Sequence, residues 1–215
     1  CDYMVELEFF KSMPEGIRKD AWFLTKVTMT GQERNPETGR YPLLNWDDPA
    51  TNQKHPYWKK NIESSDWVFN YDDGYYETKG ISSASGKTRM IFRYADILLL
   101  YAEAVAYGTK SINDLAFDCM WRVQERAGVP LISKDVTKEY FQKAVLDERR
   151  WETAGMEHSC MGRLFTMQRH EILHLQKNYR DAAELSLNPN LTLSEEFYYF
   201  PIPDNELLIV PGLKD

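Results

Sequence analysis

The stretch RMIFRYADILLLYAEAVAYG, from Arg89 to Gly108, decides the fold of this chain. It reads as a strongly apolar helix, yet Arg93, Asp96 and Glu103 stand among residues that are typical of a protein core. Charged side chains are rarely buried without a partner. The stretch therefore predicts a helix that either exposes one face or pairs its charges in an internal network.

The next segment, SINDLAFDCMWRVQERAGVP (residues 111–130), carries its own helix boundaries. Ser111, with Asp114 three residues later, is predicted as the N-cap, while Gly128 and Pro130 are predicted to end the helix. Its apolar residues follow the spacing of one helix face: Ile112, Leu115, Ala116, Cys119, Met120, Val123 and Ala127. The two segments predict an antiparallel helical hairpin that turns near Gly108.

A second helical hairpin is predicted from residues 137–151 and 158–177, with a weak point at Gly155. Two successive hairpins of similar length are typical of a tetratricopeptide-like stack. Ahead of them, Ala21–Thr30 is rich in β-branched and aromatic residues and is predicted as a strand. Residues 31–87 are rich in proline and glycine and predict long loops.

Several motifs occur in a fixed order over residues 89–215. They are FRYADILLLYAEA (92–104), QERAGVP (124–130), ERRWE (148–152), the segment with Pro201, Ile202, Pro203 and Glu206, and a tail with Pro211 and Leu213. Together they resemble the SusD/RagB family. The resemblance implies a mainly α fold with tetratricopeptide-like helical hairpins, as in the C-terminal region of SusD-like proteins, and a loop-rich subdomain with short strands.

The predicted domain organisation follows from this resemblance. Residues 1–88 form a loop-rich variable subdomain with short strands, and residues 89–215 form the helical hairpins and the PIP-x-x-E tail. Family members are much longer and have an N-terminal helical-repeat half. We therefore expect the chain to correspond to a C-terminal portion.

The resemblance also implies a function. It implies a lipoprotein of the outer membrane, exposed at the cell surface, that binds an oligosaccharide or polysaccharide and delivers it to a SusC-like TonB-dependent transporter. Such a protein has no catalytic step and needs no cofactor. The lipid anchor of such a protein is attached to a cysteine at the mature N-terminus. The half-apolar sequence after Cys1 favours an anchor outside this segment.

Aromatic residues in the loop-rich region are the candidates for glycan binding. Sugars present flat apolar faces edged by hydroxyls, so their binding sites combine aromatic platforms with polar side chains. The candidates are Trp46, Tyr57, Trp58, Trp67, Tyr75 and Tyr76, with Asn45, Asp47, Asp48, Asn52, Lys59, Lys60 and Asn61 as hydrogen-bonding neighbours. For each aromatic residue taken singly, packing of the loops against the helices is the stronger interpretation.

The net charge of −7 argues against nucleic acid and against a polybasic membrane surface. One motif favours a different function: residues 170–174, HEILH, match the zinc-peptidase pattern H-E-x-x-H, with His170 and His174 as the metal ligands of that function. A five-residue match without its structural context is weak, and we expect no metal site. Two more functions stay open, a glycosidase and a helical-repeat scaffold that binds only protein.

The charged residues of the helices are predicted to form a structural ion network. Its members are Arg93, Asp96, Glu103, Arg126 and Glu148. We expect Arg93 to pair with Asp96, Glu103 with Arg122 or Arg126 across the hairpin, and Glu148 with Arg149 or Arg150. Such a network fixes the register of packed helices rather than contacting a ligand.

Overall fold

A computed structural model describes residues 5–28, 33–51, 55–59, 67–70, 75–78, 92–155, 166–171, 182, 186, 202–210 and 212. The chain divides into two units, Cys1–Cys160 and Met161–Asp215. The predicted boundary between residues 88 and 89 does not coincide with this division and stays a prediction.

The first unit begins with two short helices, α1 (Leu7–Ser12) and α2 (Ile17–Trp22), followed by strands β1 (Phe23–Leu24) and β2 (Lys26–Thr28). The prediction of one strand over 21–30 is wrong at its start, because Ala21 and Trp22 complete α2. The backbone becomes extended at Phe23, whose N–H still donates to the carbonyl of Lys19. After this point Phe23–Leu24 and Lys26–Thr28 form strands, and residues 29 and 30 lie outside the described residues.

Further short strands lie in the loop-rich region: β3 (Leu43–Asn45), β4 (Tyr57–Trp58), β5 (Trp67–Asn70) and β6 (Tyr75–Thr78). They pair antiparallel as β1–β4, β2–β3 and β5–β6. In the first pair Phe23 lies opposite Trp58, and Leu24 lies opposite Tyr57. Strand β6 also contacts β2. The prediction of a loop-rich part with short strands is therefore confirmed.

Three long helices follow: α3 (Tyr94–Gly108), α4 (Asp114–Ala127) and α5 (Lys138–Thr153). Helix α3 packs against both α4 and α5. The rings of Phe117 and Phe141 join α4 to α5, with centroids 4.9 Å apart in an edge-to-face arrangement. The mainly helical fold and its α3–α4 hairpin are as predicted.

The starts of these helices differ in detail from the prediction. Phe92 and Arg93 precede α3, which begins at Tyr94, and residues 89–91 lie outside the described residues. Ser111 is not the N-cap of α4; Asn113 is, because its side chain accepts a hydrogen bond from the N–H of Ala116 at 2.9 Å. Thr137 caps α5 in the same way.

Helix α4 ends where predicted, at Gly128, which adopts the left-handed conformation with φ 68°. Its apolar face is also largely as predicted, with Cys119 as a buried free thiol. Leu115 is the exception, because its side chain is 55% exposed while that of Phe117 is buried.

A hydrophobic cluster attaches the N-terminal helices to the end of α5. Its buried members are Val5, Phe9, Met13, Trp22 and Phe23, and Phe10, Trp58, Trp151 and Ala154 pack against them. Gly16 makes a second attachment, since a Cβ built there would lie 2.7 Å from the carbonyl oxygen of Gly128. Only glycine allows α2 to begin this close to the end of α4.

In the second unit, residues 166–169 are helical and α6 (Asp204–Ile209) begins after Pro203. The predicted helix over 158–177 is described only in part, since residues 158–165 and 172–177 lie outside the described residues. Where it is described, it is interrupted at Glu171, which has a left-handed φ of 55°. In the described parts of both units, no helix is long and apolar enough to cross a membrane.

Candidate functional site

A buried group of charges lies where α2, α3, α4 and α5 come together. Its centre is Glu152 of α5, which is 1% exposed and accepts hydrogen bonds from three arginines. The distances to its carboxylate are 2.7 Å from Arg93, 2.5 Å from Arg126 and 3.2 Å from Arg18. Glu148, one helical turn earlier, also accepts a hydrogen bond from Arg18.

These surroundings shift the pKa values of the two glutamates in opposite directions. Burial raises the pKa of Glu148, and the charge of Arg18 offsets only part of that effect. Burial also acts to raise the pKa of Glu152, but the hydrogen bond from Arg126 and the charges of Arg93, Arg126 and Arg18 together lower it. At neutral pH Glu152 is therefore the better stabilised anion of the pair.

The partners within this network differ from several predictions. The Arg93–Asp96 pair forms at 3.3 Å, and Asp96 also accepts a hydrogen bond from the backbone N–H of Arg93 at 2.7 Å. Glu103 meets Arg149 rather than Arg122 or Arg126. Arg122 instead donates to the hydroxyl of Tyr94 at 2.9 Å.

Glu148 likewise meets Arg18 rather than Arg149 or Arg150. Two members of the network, Arg18 and Glu152, were not predicted from the sequence. The spacing of Glu148 and Glu152 by four residues places both on one helix face and was a usable signal. Arg18 lies 130 residues before Glu148, and no local pattern links them.

The arrangement of the network is that of a structural element. Its glutamates are almost completely buried, and each has an arginine partner from another part of the chain. A structural role for Arg93, Asp96, Glu103, Arg126 and Glu148 stays a prediction.

A cleft on the first unit combines apolar and charged lining residues. It has a volume of about 390 Å³. The lining residues are Phe10, Glu15, Lys19, Asp20, Phe23, Leu24, Thr25, Lys26 and Lys59. We call it the Lys19 cleft. Its walls come from α1, α2, β1 and β2, together with the residue that follows β4.

Lys19 is held in a fixed position in this cleft. Its ammonium group donates to the carbonyl of Met13 at 3.0 Å and to the carboxylate of Glu15 at 2.6 Å. The same nitrogen lies 4.5 Å from the centre of the Phe10 ring, within the range of a cation–π contact. Lys19 is 7% exposed, so its charge is largely withdrawn from bulk water.

Trp46 adjoins the cleft and is partly exposed. Its ring meets Phe10 edge to face at 5.7 Å, and its backbone N–H donates to the carbonyl of Thr25 at 2.8 Å. The turn that follows is fixed because the hydroxyl of Thr51 donates to the carbonyls of Trp46 and Asp48. This geometry gives Trp46 a rigid backbone beside the cleft.

Trp58 has a different environment. Its ring packs against Phe9 and Phe23, with centroids 6.3 Å and 5.2 Å away, and against Gly155. A Cβ built on Gly155 would lie 2.6 Å from Trp58 Cε3, so glycine leaves the room that the indole occupies. These contacts favour loop packing as the role of Trp58. Lys59, the next residue, lines the cleft.

The other predicted aromatic residues lie on nearby strands. Tyr57 pairs with Leu24 in the β1–β4 ladder, and burial raises the pKa of its hydroxyl. Trp67 is in β5, while Tyr75 and Tyr76 are in β6, the strand that contacts β2. The side chains of these last three residues lie outside the described part of the structure, as do Asn52, Lys60 and Asn61. Glycan contact by any of the six aromatic residues stays a prediction.

The zinc-peptidase motif lacks its structural context in the described part of the chain. H-E-x-x-H needs both histidines one turn apart on a continuous helix. The helix ends before His170, and the left-handed Glu171 prevents its continuation at that point. His174 lies outside the described residues. Among the residues that are described, no three His, Cys, Asp or Glu side chains group in a way that could hold a metal ion.

Sequence comparison relates the chain to one family. The SusD family model matches residues 13–215. A SusD-like protein of Formosa agariphila is 31% identical over 130 residues, which are 59% of this chain and 23% of that protein. The match to the family model includes α2 and the three long helices α3, α4 and α5, and α1 lies before it.

Solved structures share the fold at low identity. A SusD superfamily protein from Parabacteroides distasonis has a TM-score of 0.62 and 18% identity, covering 97% of this chain and 40% of that one. Surface glycan-binding protein A from Bacteroides uniformis has a TM-score of 0.53 and 17% identity, covering 96% and 39%. The chain thus spans about two fifths of the length of these solved relatives. Because the family model matches nearly all of its residues, the chain belongs to the SusD family.

Proposed function

We propose that this chain binds an oligosaccharide at the cell surface and that the Lys19 cleft, with Trp46 at its edge, is part of the binding site. The observation that carries the proposal is the placement of a partly exposed tryptophan next to a cleft lined by both aromatic rings and charged groups. Membership of the SusD family supports it, as does the fold shared with a surface glycan-binding protein.

The chemistry of the cleft suits a sugar. A volume of about 390 Å³ falls in the range of small-ligand sites. The partly buried Phe10 offers apolar surface, and Glu15, Asp20 and Lys26 offer acceptors and donors for hydroxyl groups. Lys19 uses two of its three N–H donors on Met13 and Glu15, which leaves one for a ligand oxygen.

The complete proposed role is capture and delivery without catalysis. We place the protein at the outer membrane, anchored by a lipid at its mature N-terminus, where it passes oligosaccharide to a SusC-like TonB-dependent transporter. The family supports this role, and copurification of the protein with such a transporter from membranes is its direct test. The absence of a continuous H-E-x-x-H helix at His170 and Glu171 removes support from a peptidase function.

The binding site is tested with a glycan array followed by calorimetric titration of the oligosaccharides that bind. Trp46→Ala should weaken binding by about fivefold, because an aromatic contact contributes about 1 kcal/mol beyond its buried area. Lys26→Ala should weaken it less, through loss of one exposed donor. Trp121→Ala is the matched control, since Trp121 is a half-buried tryptophan on α4 that does not line the cleft.

The outcome of this titration decides where the sugar binds and whether it binds at all. Equal loss of affinity in Trp46→Ala and Trp121→Ala would mean that the effect is not local to the cleft. Unchanged affinity in Trp46→Ala and in Lys26→Ala, in folded proteins, would place the site elsewhere. No binding of any glycan by the wild-type chain would favour the scaffold that binds only protein.

A further inference from the structure

The charges that line the Lys19 cleft are not balanced. Lys19 is paired with Glu15, whose carboxylate lies 2.6 Å from its ammonium nitrogen, so these two charges offset each other. The remaining charged residues of the lining are Lys26, Lys59 and Asp20. With two positive charges and one negative charge, they give the lining an excess of one positive charge.

This excess contrasts with the rest of the chain, which has a net charge of −7. A second cleft of the first unit, with a volume of about 460 Å³, lies between α5 and the loop after α4. Its charged residues are all in ion pairs, Lys143 with Asp147 and Glu148 with Arg18. Charges beyond about 8 Å are largely screened at physiological salt, so a ligand in the Lys19 cleft responds mainly to the charges of the lining.

Lys26 makes the positive charge available to a ligand. It is exposed, and its ammonium group has no ion-pair partner among the described residues. Its neighbour across the β2–β3 pair is Asn45, which is also exposed. Residues directly opposite on antiparallel strands point to the same side of the sheet, so an ammonium and an amide group are neighbours there. Lys59 donates to the backbone carbonyl of Asp20 at 3.2 Å, which holds a second ammonium group at the lining.

We propose that the oligosaccharide bound in the Lys19 cleft is acidic, with a carboxylate or sulfate group beside Lys26. This inference rests on the proposed function, since it specifies the class of sugar for the same site. Hydroxyl groups of a neutral sugar both donate and accept hydrogen bonds, whereas an ionised acidic group only accepts them. The ammonium group of Lys26 and the amide N–H groups of Asn45 are donors that suit an acceptor of this kind. A hydrogen bond between charged groups is about twice as strong as a neutral one.

Asp20 provides a charge of the opposite sign in the same lining. Its carboxylate is exposed and has no ion-pair partner among the residues that the structure describes. It therefore repels an acidic ligand while Lys26 attracts it. Removing the charge of Lys26 and removing that of Asp20 should change the affinity for an acidic sugar in opposite directions, which a role in packing would not do.

Matched pairs of oligosaccharides test the proposal by calorimetric titration. One member of each pair carries uronic acid or sulfate groups, and the other is the same oligosaccharide after carboxyl reduction or desulfation. At about 20 mM salt the acidic member should bind at least about threefold more tightly, and raising the salt to about 200 mM should reduce this preference, because exposed charges are then screened. Uronate and sulfate pairs are titrated separately, which shows which acidic group is recognised.

Charge variants then locate the effect. Lys26→Gln should weaken binding of the acidic member by about threefold, because one exposed charge pair is lost, and should leave the neutral member nearly unchanged, because glutamine keeps an amide donor. Asp20→Asn should strengthen binding of the acidic member by about twofold. Lys110→Gln is the matched control and should change neither, since Lys110 is exposed but does not line the cleft. Lys59→Gln replaces Lys26→Gln if near-ultraviolet circular dichroism shows that the latter unfolds.

The outcomes separate this inference from the proposed function. Equal affinity for both members of every pair, or tighter binding of the neutral member, overturns the inference and leaves oligosaccharide binding in place. Equal effects of Lys26→Gln and Lys110→Gln on the acidic member overturn it as well, because the net charge of the chain would then be the cause. Polyglutamate that binds as tightly as the acidic sugars also overturns it. Absence of binding by every oligosaccharide contradicts the proposed function itself, and the inference with it.

Discussion

Arg93 and Glu152 are 59 residues apart in the sequence, and Arg93 Nη1 lies 2.7 Å from Glu152 Oε1. The other terminal nitrogen of Arg93 donates to the backbone carbonyl of Glu152 at 2.8 Å. Arg93 immediately precedes α3, and Glu152 lies in the last turn of α5. The contact therefore fixes the start of one helix against the end of another.

Replacing Glu152 with glutamine should destabilise the fold strongly. The change leaves Arg18, Arg93 and Arg126 without their shared anion, and breaking a buried pair costs about 3–5 kcal/mol. We expect a loss of about 3 kcal/mol in the free energy of unfolding, measured in urea at neutral pH. Glu125→Gln, on the exposed side of α4, is the control and should change little.

The loss of stability in Glu152→Gln should also depend on pH. Because the pKa of Glu152 is lowered in the folded state, its contribution is present above the ordinary range for glutamate and is lost as the pH falls through the folded pKa. The difference between wild type and Glu152→Gln should therefore shrink on acidification. A difference that stays constant between about pH 7 and pH 3 would argue against an electrostatic role.

Loss of Arg18 should lower the stability of the fold, because it leaves the buried carboxylate of Glu148 without its counter-charge. Arg18→Met removes the described ion-pair partner of Glu148, whose pKa is already raised by burial, and we expect a cost of about 3–5 kcal/mol. Adding Glu148→Gln should recover part of this loss, since a neutral side chain needs no counter-charge. Urea denaturation of the two single variants and the double variant measures the coupling.

The Arg18→Met variant also has an expected pH signature. Since the folded pKa of Glu148 is raised, its ionised form costs stability at neutral pH and the cost disappears as the proton binds. The stability deficit of the Arg18→Met variant should therefore shrink as the pH falls.

In the comparison of single and double variants, additive effects of Arg18→Met and Glu148→Gln on stability would show that the two side chains act independently.

Trp58 and Gly155 should behave as a coupled pair. Trp58→Ala removes a half-buried indole from the N-terminal cluster and should cost about 2–3 kcal/mol, less than for a fully buried tryptophan. Gly155→Ala should cost about 2 kcal/mol or more, from its φ of 64° and from contact with the indole. In the Trp58→Ala background the second change should cost less, because only the backbone strain remains. Gly108→Ala, which meets no atom within 4 Å, is the control.

The N-cap of α4 gives a small, well-defined prediction. Asn113→Ala should lower stability by about 1 kcal/mol, since it leaves the N–H of Ala116 without its side-chain acceptor. Ser111→Ala should have little effect, because Ser111 contributes its backbone carbonyl to the hydroxyl of Thr109. Thermal unfolding of the two variants compares them directly. A larger loss in Ser111→Ala would restore Ser111 as the cap.

Structural features that depend only on neighbouring residues, such as the end of α4, were predicted well from the sequence. Gly128 ends α4 because glycine adopts the left-handed conformation without steric cost, and this depends on neighbouring residues only. Ser111 and Asn113 are both good N-cap residues two positions apart, so propensity did not choose between them. The choice depends on where the chain leaves the turn after α3.

Structural features that depend on contacts between residues far apart in the sequence were not predicted. The pairing of Arg18 with Glu148 joins parts of the chain 130 residues apart, and a single sequence carries no periodic signal for it. The Lys19 cleft is likewise assembled from α1, α2 and the residue after β4. Trp46 and Trp58 look alike in sequence, but one adjoins a cleft and the other packs on Gly155. Only the packed structure separates them.

Arg18 and Lys19 are consecutive residues of α2 with different surroundings, since Arg18 enters the ion network and Lys19 lines the cleft. The wall of the cleft is thus held in place by the same helix turn that holds the core. A ligand that binds to a wall already fixed loses little conformational entropy on association. The cleft wall is therefore preorganised for the proposed oligosaccharide. Less of the free energy of each contact is spent on ordering the protein than in a flexible site, so more of it remains as affinity. Closure of a flexible loop is not required at this wall.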